Sequence, residues 1–324
     1  MNKQGFRTML QERKVPADKL DPAIALAERF EQFAERSGGF SVETARAFSE
    51  VLIEEGGNTQ ENFYTLARYG MFIKNNAVFV TFVESLDGGE AQENLYKRVA
   101  EKYGEPLREE VFAGIGVAPF GIPATEKPRY MQPVIARLEQ VLGPDACRAL
   151  LEDSLRDLPD EYFAREREDF QSSRNVDEYI ARRKQKFVEQ LEACQREGRL
   201  FFAQEITDEV LAFVRADPEI GGGRRVGDVV YETKIPYMTR EYLAETDPTM
   251  KRYYACHCPW AREAVKSGEK VAPIFCNCSA GFHKKPWEVA LGQKVRVDVL
   301  ESALQGDTRC RFAIHLPSGI PNNG

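Results

Sequence analysis

A long stretch of helical periodicity gives way, across Gly221-Gly222-Gly223, to the alternating apolar residues of strands, and that switch confines the chain to an α+β architecture. Upstream, Ile24, Leu26, Ala27, Phe30 and Phe33 recur at helical spacing. Ser41, followed by Glu43 and then Phe48, Val51 and Leu52, predicts a capped amphipathic helix. Residues 60–85 are richer in aromatic and aliphatic side chains than their neighbours and predict the centre of a helical bundle. After a Gly88-Gly89 turn, further helices are expected over 91–103, 129–154, 175–197 and 205–215, the last stopped by Asp217-Pro218. Residues 112–128, with their interleaved glycines, prolines and apolar residues, predict an ordered loop; their G-x-G lacks the strand, helix and third glycine of a dinucleotide fingerprint. Beyond the glycines, Val226, Val229, Val230 and Tyr231 predict strand. The expected organisation is a mainly helical region over 1–220, packed on or beside an antiparallel sheet with helices over 221–324.

Charge narrows the partners. The chain has a net charge of −7, yet residues 251–324 carry eleven Lys/Arg against six Asp/Glu. These basic residues are not gathered on one element as a nucleic-acid surface requires; a local anionic ligand, or contact between the two halves, fits them better. No run of about 18 apolar residues is present, so no membrane span is expected, and the first residues lack the apolar segment of a secretory signal. Seven cysteines, odd in number and sparse, suit a reducing cytoplasm. Cys147 and Cys194 sit alone in apolar helical patterns and are expected in the core.

The chemistry concentrates in two C-x-C pairs, Cys256-His257-Cys258 and Cys276-Asn277-Cys278. The residues before each, KRYYACHC and VAPIFCNC, read as strands, so each pair would present both thiols to one side. Each also ends where a helix could begin: Pro259 precedes WAREAVKSG, closed by Gly268, and Ser279 could cap the segment holding Trp287. A thiol at a helix N-terminus ionises more easily, which serves metal ligation and nucleophilic attack alike. The alternating KVRVDVLE and CRFAIHL, joined through Gly306-Asp307, predict a hairpin whose apolar faces bring Glu301 and Cys310 together at its loop end. A carboxylate there needs a basic side chain, a metal, another cation or solvent. Zinc accepts thiolates and a carboxylate in four-coordinate geometry. It would be held either by Cys256, Cys258, Cys276 and Cys278, or by Cys276 or Cys278 with Glu301 and Cys310. His257 and His283 are candidate proton-transfer partners for a nucleophilic Cys258 or Cys278. Lys234 and Arg252 are candidate anchors for an anionic substrate, and Trp260 and Trp287 candidate pocket walls.

The run FCNCSAGFHKKPWEVALGQKVRVDVLESALQGDTRCRFAI resembles the core of the 4-vinyl reductase domains, relatives of the small subunits of a vesicle-tethering complex. The likeness rests on Cys276 or Cys278, Gly281, Gly292, Glu301, Gly306-Asp307, Cys310 and Phe312, and covers residues 225–318. CHCPWAREAVKSG and YETKIPY also look like the bacterial proteins named after L-2-amino-thiazoline-4-carboxylate hydrolase. The resemblance implies a sheet-plus-helices fold and a zinc site built from Cys278 or Cys276, Glu301 and Cys310. The family's further cysteine falls at Leu304 here, so Cys256 or Cys258 would have to replace it. Residues and resemblance together lead to the expectation of a cytoplasmic protein that binds a small molecule beside a zinc or cysteine cluster. The alternatives are a metal- or cysteine-dependent hydrolase of a small cyclic amidine or thiazoline acid, and an interaction scaffold; a homodimer is compatible with each.

Overall fold

The structure is a computed structural model and describes residues 1–153, 155–156 and 158–320. It resolves into two compact units, Met1–Glu93 with Gly116–Tyr130, and Asn94–Ile115 with Met131–Gly324. The compositional break at 220 falls inside the second unit.

The first unit is helical: α1 (Lys3–Glu12), α2 (Ala17–Arg36), α3 (Val42–Glu54), α4 (Gln60–Phe72) and α5 (Asn76–Leu86). The side chains of Ser41, Thr59 and Asn75 accept from backbone N–H groups in the first turns of α3, α4 and α5, so each helix starts where an orphan donor is satisfied. Phe6, Phe30, Phe48, Phe63, Tyr69 and Phe82 form its core, as the aromatic pattern of residues 60–85 predicts. The loop over residues 116–126 is ordered by packing. Gly121 has φ +89°, and a Cβ there would lie 2.2 Å from the Phe63 ring, so only glycine fits. Buried Lys127 donates to the carbonyls of Glu84 (3.0 Å) and Asp87 (2.9 Å), satisfying the C-terminal end of α5.

The helices α6 (Ala91–Tyr103), α7 (Glu105–Phe112), α8 (Lys127–Leu151), α9 (Ala164–Gln171), α10 (Val176–Arg196) and α11 (Asp208–Ala216) come next in the chain. Strands β1 (Arg224–Val226) and β2 (Val229–Thr233) lead to α12 (Thr239–Ala244), α13 (Pro248–Ala255), α14 (Arg262–Ser267) and α15 (Asn277–Leu291). The chain returns to the sheet as β3 (Arg296–Glu301) and β4 (Arg311–His315). The four strands form an antiparallel sheet in the order β1-β2-β4-β3. The architecture is therefore α+β, with an N-terminal helical region and a small C-terminal antiparallel sheet. One sheet face, with Val230, Val297, Phe312 and Ile314, packs on Val176 and Tyr179 of α10 and on Ala280 and Trp287 of α15. Each buried valine, isoleucine or phenylalanine there contributes roughly 1.5–3 kcal/mol by leaving water. Cys147 and Cys194 are buried, and all seven cysteines are free thiols.

Three local expectations are overturned. KRYYACHC is not a strand: Asp247 caps α13 through Met250 N–H, and Pro248 occupies its first turn, so the helix claims the tyrosines before the chain straightens at Cys256. VAPIFCNC is not a strand either. Pro273 opens a 3-10 turn (Pro273–Cys276) that runs directly into α15, placing Ser279 inside the first turn rather than at its cap. The β3–β4 hairpin forms as expected, but its register shifts between Val299 and Glu301: Val299 faces Phe312 and Glu301 faces Arg311, not Cys310. One extra residue, Leu300, rotates everything after it to the opposite face. Glu301 thus leaves the apolar face.

Candidate functional site

The alternation that buries Val230 also buries Glu232, two residues along the same strand and 5% exposed. A lone carboxylate among Val230, Phe312 and Ile314 would be costly, and three donors meet it. Glu232 Oε1 accepts from Arg183 Nη1 at 2.5 Å and from Trp287 Nε1 at 2.8 Å, and Oε2 accepts from His283 Nδ1 at 2.5 Å. Burial alone would raise the Glu232 pKa; the Arg183 charge and the His283 hydrogen bond reverse it and hold the group at about 2. Because the carboxylate only accepts, Nδ1 carries the imidazole proton and Nε2 holds a lone pair. The ring stacks on Phe312, with centroids 4.1 Å apart. Burial lowers the His283 pKa, as do the Lys234 and Arg183 charges, against the raising effect of Glu232.

His283 borders a cavity of about 440 Å³ together with Lys234, His257, Phe202 and Phe282. Lys234 directly follows β2, and its N–H extends the strand pairing by donating to the Cys310 carbonyl at 3.0 Å. Its Nζ donates to Ser279 Oγ at 2.5 Å and lies over the Phe282 and Phe312 rings. Among the described residues it makes no ion pair with a carboxylate, whereas Arg183 and Lys186, on the same cavity, pair with Glu232 and Asp169. His257 donates through Nε2 to the Ile235 carbonyl at 2.5 Å, which fixes its ring at the cavity. Phe202 is 58% exposed and sits in the left-handed region at φ 52°, edge-on to His257. The tight two-residue turn between Phe201 and Gln204, whose backbones exchange hydrogen bonds at 2.9 and 3.1 Å, imposes that conformation and pushes the ring outward.

The thiols divide. Helical geometry turns Cys276 and Cys278 to different surroundings, where a strand would have aligned them. Cys276 lies near Cys310, Cys258 and Ser302, and Cys256 lies near Cys310 and Cys276; burial first, then the neighbouring thiols, pushes both Cys256 and Cys276 up to about 12. Burial also raises Cys310, partly offset by the Lys234 charge. Cys278 instead lies near the Leu155 backbone, Arg156 and Lys234, and burial raises it on balance. Glu301 accepts from Arg309 twice, both at 2.7 Å, so a basic side chain compensates the carboxylate. That pairing, with the Arg309 hydrogen bond as the main cause, lowers its pKa. Among the described residues no group of three or more His, Cys, Asp or Glu side chains is arranged to hold a metal ion.

Other candidates separate as well. Arg252 lies on α13 and borders a second cavity of about 480 Å³ with Lys270 and Leu304, away from Lys234. Trp260 and Trp287 are core residues, 2% and 0% exposed, and neither lines the Lys234 cavity. Trp287 instead donates to Glu232. Glu232 and Arg183 escaped sequence reasoning, although the alternation of VVYET set a glutamate on the valine face, and Arg183 follows Tyr179 by one helical turn. No described helix is long and apolar enough to cross a membrane. Comparison of the chain with protein-family models, with curated proteins and with solved structures finds no match.

Proposed function

We propose that this protein binds a small, flat, anionic molecule in the cavity beside Lys234. The observation that carries the reading is a lysine facing a roomy cavity with a hydroxyl, and no carboxylate, as its partner. The volume is in the range of small-molecule sites, about 300–1,000 Å³. Phe282 supplies an aromatic wall under the ammonium, and exposed Phe202 supplies a contact that a planar ligand would cover. Titration calorimetry with benzoate, salicylate and indole-3-carboxylate tests it. At least one should bind, and Lys234→Met should weaken it by at least about tenfold, the size of one charge-assisted hydrogen bond. Equal affinity in both proteins would remove Lys234 from the site.

A second reading keeps zinc, on thiols rather than on Glu301. What supports it is that Cys256, Cys276 and Cys310 share buried surroundings that Cys278 does not, and that zinc takes thiolates as ligands. Metal analysis of the purified protein should then find zinc that is lost in Cys276→Ser and kept in Cys278→Ser; zinc-free protein would end this reading. We propose further that the sheet is of the 4-vinyl reductase type, on the resemblance around Glu301, Gly306-Asp307 and Cys310. Hydrolysis of a thiazoline-like acid would draw on the same cavity, with Lys234 on the carboxylate.

A further inference from the structure

The Lys234 cavity holds a second feature that ligand binding alone does not require. His283 is locked from one side only: Nδ1 donates to Glu232, and Nε2 has no hydrogen-bond partner among the described residues. We propose that His283 is a general base, taking a proton through Nε2 from a planar ligand that enters beside Lys234. Glu232 is its positioning residue. The inference deepens the ligand-binding reading of this cavity and rests on it for the ligand's place.

Three observations converge. Glu232 cannot rotate away, because Arg183 and Trp287 hold its other oxygen, so the tautomer that leaves Nε2 as an acceptor is fixed. The ring cannot tilt freely, because it lies 22° from the plane of Phe312. A negative charge that develops on the ligand as its proton leaves finds Lys234 near His283, with Ser279 fixing the ammonium. The fixed carboxylate behind the ring stabilises the imidazolium that forms, which is what a base held by an acid residue needs.

The charged groups around the ring set the pH response. From the β2 side come Glu232 and Lys234; from α10 come Arg183 and Lys186; from α9 come Glu166 and Asp169. His257 and Glu219 complete the cavity's titratable lining. Arg183 is committed to Glu232 and Glu166, and Lys186 to Asp169, so Lys234 is the cation whose removal should change the base most. Burial disfavours the imidazolium and keeps His283 neutral, and so able to accept, at neutral pH.

A neutral planar probe separates this from anion binding. In 5-nitrobenzisoxazole, a base removes the ring C–H proton, the C–H electron pair forms the nitrile, and the N–O bond breaks to leave 2-cyano-4-nitrophenolate. No co-reactant is consumed, and the proton on Nε2 returns to water. The full-length protein should turn the probe over with saturation. Its rate should rise with pH to a plateau with a midpoint below the ordinary histidine value of about 6.5. His283→Gln, which keeps a donor for Glu232, should lower the rate about 100-fold, the lower end of what a positioned base supplies. Lys234→Met should move the midpoint upward, a readout that stands even if the His283 variant folds poorly. A rate indifferent to His283→Gln, or a midpoint that does not move in Lys234→Met, would overturn the assignment. If benzoate binds while 5-nitrobenzisoxazole is not turned over, the base is refuted and the ligand site stands. Turnover without benzoate binding would leave the base and remove the anion anchor.

Discussion

Glu232 and Glu219 are both buried carboxylates held by arginine beside the Lys234 cavity, yet only Glu232 has a histidine among its partners. Glu219 accepts from Arg311 Nε and Nη2 at 2.7 and 2.8 Å and from Thr233 Oγ1 at 2.9 Å. Thr233 and Arg311 stand opposite each other on the sheet face away from Val230 and Phe312. Those donors are a permanently charged guanidinium and a hydroxyl, so nothing in the set titrates near neutrality. The arrangement is a structural clamp. Glu232 has an arginine too, but its other oxygen faces His283, whose second nitrogen has no hydrogen-bond partner among the described residues and whose ring borders the cavity. The proposed base rests on that one titratable partner rather than on the ion pair.

The sharpest way to break this comparison is to remove the two arginines in turn. Arg183→Met leaves Glu232 in the apolar core with only Trp287 and His283 for company, and should lower unfolding stability by about 3–5 kcal/mol, the cost of orphaning a buried charge. Arg311→Met should cost less, about 2 kcal/mol, because Glu219 keeps Thr233 and has Arg224 3.6 Å away to close in. Urea unfolding of both variants decides it. Equal losses would mean that the two faces are equivalent and that Glu232 is no more isolated than Glu219.

Much of this was legible in the chain. The helix starts at Ser41 and Asn175 follow from side chains that satisfy the first-turn N–H groups, and the sheet from the alternation of Val229–Thr233 with residues 310–316. The place of Lys234 at the end of a strand was legible as well, since the alternation stops there and Pro236 holds Ile235 extended. What failed was local competition. Tyr253 and Tyr254 favour strand by type, but Asp247-Pro248 starts a helix that carries them along. Leu300 reads as part of an alternating strand, yet the bulge beside it sends Glu301 to Arg311. Such an insertion leaves no trace in periodicity. The Glu232–His283 contact spans 51 residues, and spacing alone does not join positions so far apart.

Acid separates the two carboxylates by a smaller amount. His283 has its pKa lowered by burial, so the unfolded chain binds its proton first; stability is lost as pH falls from about 6.5 towards the lower folded value, at no more than about 1.4 kcal/mol per pH unit. Glu232 acts in a separate window. Its folded pKa of about 2 lies below the ordinary 4.5, so its contribution is complete above that ordinary value and fades as pH drops towards 2. Thermal or urea unfolding between pH 7 and 5 should therefore show a decline that His283→Gln abolishes. Thr233 and Arg311 offer no counterpart on the other face, so Arg311→Met should keep the decline. A wild-type protein with constant stability over that interval would show that His283 is not buried as placed.

The smallest effect tests whether Glu219 is as closed as its partners suggest. Thr233→Val replaces a hydroxyl by a methyl group of nearly the same shape and keeps the β-branched side chain that a strand favours. Only the 2.9 Å bond to Glu219 Oε2 is lost, and that oxygen still accepts from Arg311 Nε. With the carboxylate never left alone, the loss should be about 1 kcal/mol, the net worth of one hydrogen bond, with an unchanged urea slope. The pH 7 to 5 decline should be untouched, since the hydroxyl does not reach His283. If Thr233→Val instead cost as much as Arg311→Met, the hydroxyl would be holding Glu219 as firmly as the guanidinium, and the clamp would not rest on the arginine.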